Sequence, residues 1–208
     1  MIARFLLLPS AAIALFTTFA GETAFGLSYT ISGGSVSAAN SGDGLLLQTS
    51  LNFPAITPFT FSLNDGESKS FNFFDIWTTE STVNPDDEIK RAISATLSFS
   101  DPVTSATIGG ITVGGSFLKG LTQWGEVKWN NLDPLNVGGR TFRISLTDEV
   151  FNAGLFGLND GPHSGATVRA TVEQIGTSAV PDGGSTAMLL GLSLLGIGLV
   201  SRKRIART

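Results

Sequence analysis

Apolar and polar positions alternate strictly through the middle of this chain. Phe59, Phe61 and Leu63 alternate with Thr60 and Ser62, and after Asn64-Asp65-Gly66 the alternation resumes at Phe71 and Phe73. Ile93, Ala95, Leu97 and Phe99 form a further apolar row, with Ser94, Thr96 and Ser98 between them. Phe142, Ile144 and Leu146 make another row, and Ala166, Val168, Ala170 and Val172 the last. Successive side chains of a strand point to opposite faces, so a period of two marks half-buried strands. The Asp65-Gly66 pair predicts a β-hairpin whose two arms place Phe59, Phe61, Phe71 and Phe73 on one face. Gly109-Gly110, set between short Thr/Val/Ile runs, predicts a second hairpin. A helical turn near Asp148 to Ala153 would be stopped by Gly154 and Gly157. Turn signals recur about every ten residues, the pattern of an all-β, antiparallel β-sandwich or jelly roll. No repeat of fixed period replaces that reading.

Both ends of the chain break the alternation. Arg4 is the only charge before Glu22, Phe5 to Phe19 is apolar, and small residues follow at Ala20, Ala24 and Gly26. That is the layout of a secretory signal peptide over 1–26, with Thr18-Phe19-Ala20 and Ala24-Phe25-Gly26 both suited to cleavage. At the other end, 180–208 reads as three pieces: a polar, Pro-containing segment 180–186, an uncharged apolar run 187–200, and a basic tail 201–208. From Thr186 to Val200 a helix would extend ~22 Å at ~1.5 Å per residue, short of the ~30 Å bilayer core. A transmembrane helix there fits by local thinning or by drawing in its flanks. Arg202, Lys203, Arg204 and Arg207 follow directly, which sets the C-terminus on the cytoplasmic side.

The tail, Val180-Pro181-Asp182-Gly183-Gly184-Ser185-Thr186 followed by an apolar run and a basic cluster, resembles the PEP-CTERM class of bacterial sorting signals. It is most similar to the variant whose motif reads Val-Pro-Asp-Ser-Gly, with Gly183 standing where that Ser would be. The resemblance implies cleavage near the motif by a membrane-embedded exosortase, in Gram-negative bacteria that make exopolysaccharide. It therefore implies export, transient residence in the inner membrane, and delivery to the cell surface or extracellular matrix. The Gram-positive sortase signal Leu-Pro-x-Thr-Gly does not occur.

Between the signals lies a mature ectodomain, 27–179, long enough for a single well-buried core. Its 15 acidic and 8 basic residues leave a charge of −7. That balance argues against nucleic acid or anionic lipid as a partner, because phosphate contacts need basic patches. The absence of cysteine excludes disulfides, thiolate metal sites and thiol catalysis, so the core must hold the domain alone.

Candidate chemistry is sparse. His163, the one histidine, sits in the turn-like Gly161-Pro162-His163-Ser164-Gly165, and no Gly-x-Ser-x-Gly elbow accompanies it. Oxygen-ligand calcium is the one metal the composition permits, and Asp86, Asp87 and Glu88 in the loop Asn84-Pro85-Asp86-Asp87-Glu88 are its candidate ligands. No other cofactor is expected. Glu80, Glu126 and Asp148 lie near aromatic or apolar residues and are the acids best suited to glycoside hydrolysis, although sequence shows no separation between them. Trp124 and Trp129 could stack on sugar rings, but their odd spacing puts them on opposite faces of a strand. The expectation is a non-enzymatic structural or adhesive protein of the cell surface, matrix or biofilm, with an exosortase-type enzyme as partner and a cell-envelope polysaccharide as a further candidate. The alternatives are a carbohydrate-binding module or glycan-active enzyme, and a single-pass membrane protein whose tail is never cut.

Overall fold

The computed structural model describes residues 26–38, 44–52, 58–177 and 190. Eleven strands run through them: β1 (Leu27–Ala38), β2 (Leu47–Leu51), β3 (Phe59–Leu63), β4 (Ser68–Thr78), β5 (Arg91–Asp101), β6 (Val103–Phe117), β7 (Thr122–Trp129), β8 (Leu135–Val137), β9 (Arg140–Leu146), β10 (Glu149–Leu155) and β11 (Ala166–Thr177). They form a six-stranded sheet, β10-β7-β6-β5-β1-β3, and a five-stranded sheet, β2-β4-β11-β9-β8. Every pairing is antiparallel.

The apolar rows read from the sequence face inward. Ile93, Ala95, Leu97 and Phe99 of β5, Phe142 and Ile144 of β9, and Val168, Ala170 and Val172 of β11 are all buried. Rings from the two sheets meet between them: Tyr29 and Phe99 of the first sheet lie 5.4 and 5.7 Å from Phe142 of the second. Phe74 of β4 meets Trp129 of β7 edge-on at 6.0 Å. Burying each large apolar side chain contributes roughly 1.5–3 kcal/mol, which is how the domain stands without cysteine.

The two hairpins expected from the glycine signals do not form. β3 pairs with β1, whereas β4 pairs with β2 and β11, so the chain crosses from one sheet to the other at Asn64-Asp65-Gly66. Glu67 N–H closes the turn on Asn64 O at 3.0 Å, and Gly66 N–H donates to Gln174 O of β11 at 2.8 Å. The aromatic rows therefore face each other across the core instead of lying side by side, with Phe59 and Phe71 at 5.7 Å. Alternation fixes only which face is apolar, and both arrangements satisfy it. Gly109-Gly110 lies inside β6, where a Cβ on Gly110 would stand 2.6 Å from Lys128 O and 2.8 Å from the Trp129 ring. The glycine there seats a ring and turns nothing. From Glu149 on, the stretch expected to form a helical turn is strand, β10.

One irregularity matters for the core. Val168 pairs with Phe74 and Arg169 with Asn72, so Phe73 is the extra residue of a bulge. Phe73 and Phe74 are consecutive and both fully buried, and the inward parity changes there to Phe74, Ile76 and Thr78.

No helix among the described residues is long and apolar enough to cross a membrane. The signal peptide expected at 1–26 lies, but for Gly26, outside the described residues, and so does the helix expected at 187–200, but for Leu190.

Candidate functional site

The strand carrying the chain toward its tail ends at one pole of the sandwich. Thr177 of β11 pairs with Arg140 of β9. The Arg140 guanidinium donates through Nη1 to Ser28 O at 2.6 Å and to Asp101 Oδ1 at 3.0 Å, and stands 5.8 Å from the Tyr29 ring centre. Tyr29 in turn donates its hydroxyl to Gln174 Oε1 in the interior. Charge-assisted bonds of this kind are stronger than neutral ones. They gather the start of β1, the β5–β6 turn and the end of β11 at one place, so the described domain is tied off immediately before 178. The sorting residues Val180, Pro181, Asp182, Gly183, Gly184, Ser185 and Thr186, and the basic residues Arg202, Lys203, Arg204 and Arg207, lie outside the described residues.

The calcium ligands expected at Asp86, Asp87 and Glu88 do not converge. Asp86 Oδ2 accepts from Gly44 N–H at 2.9 Å, a bond that holds its carboxyl below the usual range. Asp87 Oδ2 accepts from Asn84 N–H at 2.6 Å, and Glu88 Oε1 accepts from the Ser116 hydroxyl at 3.1 Å. Among the described residues no group of three or more His, Cys, Asp or Glu side chains is placed to hold a metal ion. The acidic loop is instead clamped to its surroundings by backbone donors, and Gly114 N–H of β6 donates to Asp87 O at 2.7 Å.

Asp87 has a different partner, which sequence reasoning missed. It is 1% exposed, and its carboxyl lies close enough to that of Glu80, seven positions earlier, for each to perturb the other's titration. Glu80 Oε2 and Asp87 Oδ1 are both buried with no hydrogen-bond partner among the described residues. With no donor supplied by those residues, a proton held on one carboxyl would satisfy the other. Burial, and then the neighbouring Asp87 charge, push Glu80 up to about 7; burial also raises Asp87. The sequence marks Glu80 as an acid near aromatic or apolar residues, but nothing in it pairs Glu80 with Asp87.

The remaining candidates are separated or engaged. Trp129 faces inward, packs on Phe74 and belongs to the edge of the core. Trp124 lies on the outer face of β7, its indole over Gly115, where an added Cβ would come within 2.5 Å of Cε2. The two rings thus lie on opposite faces of one sheet, and no two-ring platform is assembled from them. Glu126 is paired with Lys128 at 2.8 Å, and Asp148 Oδ1 accepts from Trp129 N–H at 2.7 Å. His163 is exposed in a 3-10 turn, Pro162–Ser164. Buried Asn152 was also missed. Its Oδ1 accepts from Thr78 N–H at 2.9 Å, and its Nδ2 donates to Asn159 O and to Gly161 O, fastening the loop after β10 onto β4.

Comparison with known proteins bears on the tail. Residues 179–204 match the family model described as the VPDSG-CTERM motif, a PEP-CTERM-type sorting signal. No curated protein and no solved structure matches the chain. A signal of this type implies export to the cell envelope or surface and, in general, processing by an exosortase.

Proposed function

We propose that this chain is an exported structural protein of the cell surface or extracellular matrix, cut within or beside 180–186 by an exosortase-type membrane enzyme. The carrying observation is the match of residues 179–204 to the sorting-signal model. The fold supports it: the last strand ends at Thr177, three residues before Val180, so a cut beyond that point leaves both sheets whole. In this reading Val180, Pro181 and Asp182 are the recognised segment, 187–200 holds the precursor in the inner membrane, and Arg202, Lys203, Arg204 and Arg207 keep its end cytoplasmic. The folded domain is non-catalytic and serves as a structural or adhesive module. Glu80 beside Asp87, Glu126 paired with Lys128, and Asp148 bound by Trp129 N–H are engaged separately, which favours that over a glycan-active enzyme.

Intact mass of the protein isolated from the producing cell tests the reading. The main surface form should lack Ala187 to Val200, and a spectrum retaining Arg202 to Thr208 on that form would refute processing. Replacing Pro181 and Asp182 together by Ala should leave export intact and uncut precursor in the membrane. Normal processing of that double variant would show that the motif is not what is read.

A further inference from the structure

At the pole opposite Thr177, the domain carries a cluster of exposed large apolar side chains. Leu155 of β10 pairs with Thr122 of β7, which pairs with Phe117 of β6, so these residues form one row across three strands. The β6–β7 turn adds Leu118 and Leu121, and Phe156 N–H donates to Leu121 O at 2.9 Å, tying the end of β10 to that turn. Phe117 is 60% exposed, Leu118 63%, Leu155 72% and Phe156 80%. An open depression of about 440 Å³ lined by Thr122, Ala153, Gly154, Leu155 and Asn159 adjoins them. Lone exposed apolar residues are ordinary, whereas a contiguous group of this size at one tip is of the kind that is often functional.

The backbone beneath the tip is strained. Leu118, Lys119 and Phe156 have φ of 50°, 56° and 60°. Side chains of this size rarely adopt that region, and glycine would relax it. Bulky apolar residues are thus held outward at a conformational cost.

We infer that this tip docks on a lipid surface other than the membrane beside the tail. Three arguments select that occupant. The five side chains supply on the order of 500 Å² of apolar surface, short of the ~800 Å² per partner that a stable pair of copies buries. The shape is a convex turn, and a lipid interface accepts apolar side chains singly without a matching pocket. Placement decides which surface: β6 runs from Val103, beside the Arg140 clamp, to Phe117 at the tip, and 15 residues at ~3.3 Å separate the poles by up to about 46 Å. The chain leaves toward its tail at the first pole, so the tip points away from whatever holds the tail. Lys119 is the one charge within the turn, so the attachment is apolar and not a response to anionic headgroups.

The test uses the full chain immobilised on beads through a C-terminal tag and exposed to dye-labelled phosphatidylcholine vesicles, with and without phosphatidylglycerol. Wild type should capture both kinds, and Phe117→Ser/Leu155→Ser/Phe156→Ser should lose at least about tenfold of the captured lipid. Val103→Ser, which alters an exposed apolar residue at the opposite pole, should keep capture, and so should Phe117→Trp/Phe156→Trp. Unchanged denaturation midpoints guard against misfolding. Capture that survives the triple Ser variant would assign the binding to the tail and overturn the inference. So would no capture by wild type, capture only of anionic vesicles, or wild-type protein that dimerises through the tip in place of binding vesicles. The mass test of tail processing reads a different segment, so either proposal can fail without the other.

Discussion

Raising the pH from about 5 to about 8.5 should destabilise the folded domain, and Glu80→Gln should remove most of that dependence. Glu80 is pushed up to about 7 in the folded state, against about 4.3 in an unfolded chain. Below about pH 4.3 both states carry the proton, and the Glu80–Asp87 contact contributes in full. Between there and about 7 the folded state keeps a proton that the unfolded state has released, so stability falls as pH rises. Above about 7 the two carboxylates face each other charged, with Asp86 and Glu88 nearby on the same loop and Arg91 acting on Asp86 from the start of β5. At about 1.36 kcal/mol per pH unit the upper bound is roughly 3–4 kcal/mol. Glu80 is only partly buried, so solvent screening brings this to about 1–2 kcal/mol. Asp87, also raised, acts in the same sense. Asp86 and Glu67 are lowered, and their contribution is lost only on the acid side of this window. With a urea slope of about 1–3 kcal/mol/M, the midpoint should drop by about 0.5–1 M across the window. In Glu80→Gln the amide supplies the missing N–H to Asp87 Oδ1 at every pH, so the midpoint should be nearly flat. A wild-type midpoint that stays constant or rises with pH, or an equally steep fall in Glu80→Gln, would refute the shared proton.

The core makes two sharper comparisons. Phe73→Ala should cost ~3–5 kcal/mol, because the ring is fully buried at the β4 bulge; Phe61→Ala, half-buried on edge strand β3, should cost about half as much. Ser62→Ala, on the outer face of β3, should leave the urea midpoint within ~0.5 kcal/mol of wild type, and similar losses for Phe61 and Ser62 would contradict the β1–β3 register. Gly110→Ala should cost ~1–3 kcal/mol, since its Cβ meets Lys128 O, a backbone atom that cannot swing away, as well as the Trp129 ring. Gly33→Ala, with nothing within 4 Å of the added Cβ, should be close to neutral, and equal melting shifts for the two would show that Gly110 is not seating the ring.

How much of this was legible in the chain depends on the range of the interaction. The inward rows of β5, β9 and β11 follow from residues two apart, and the period-two pattern places them correctly. The path taken at Asn64-Asp65-Gly66 does not follow from its neighbours, because it is decided by Gln174, which both accepts from Gly66 N–H and donates its own N–H to Glu67 O. A tight-turn sequence states that the chain reverses; it does not state which strand lies beside the next one. The β4 bulge was hidden for the same reason, since Phe73-Phe74 reads as one break in an alternation until β11 supplies the register. Gly109-Gly110 misled because glycine has two uses, a turn residue and a place where a ring may approach the backbone. Only the ring of Trp129, on the neighbouring strand, distinguishes them.

The same argument separates the tail from the domain. A sorting signal is read as a short contiguous piece, so its information lies in adjacent residues, and 179–204 can be recognised without any fold. A surface built by folding has no such property. The apolar tip joins Phe117 to Phe156 across three strands, and the proton-sharing pair joins Glu80 to Asp87 through a loop closed by Asn84 N–H and Gly114 N–H. Phe117 and Phe156 become neighbours only after the strands have paired, and Glu80 meets Asp87 only once their loop closes, so no local pattern marks either pair beforehand. Single-residue reasoning on the acids pointed instead to Asp86, Asp87 and Glu88, which are adjacent in sequence. Side chains next to each other in a loop commonly diverge to satisfy different donors, as these three do with Gly44 N–H, Asn84 N–H and the Ser116 hydroxyl. What the domain binds must therefore be sought on surfaces assembled from distant residues, and the tip opposite Thr177 is the one where apolar exposure and backbone strain coincide.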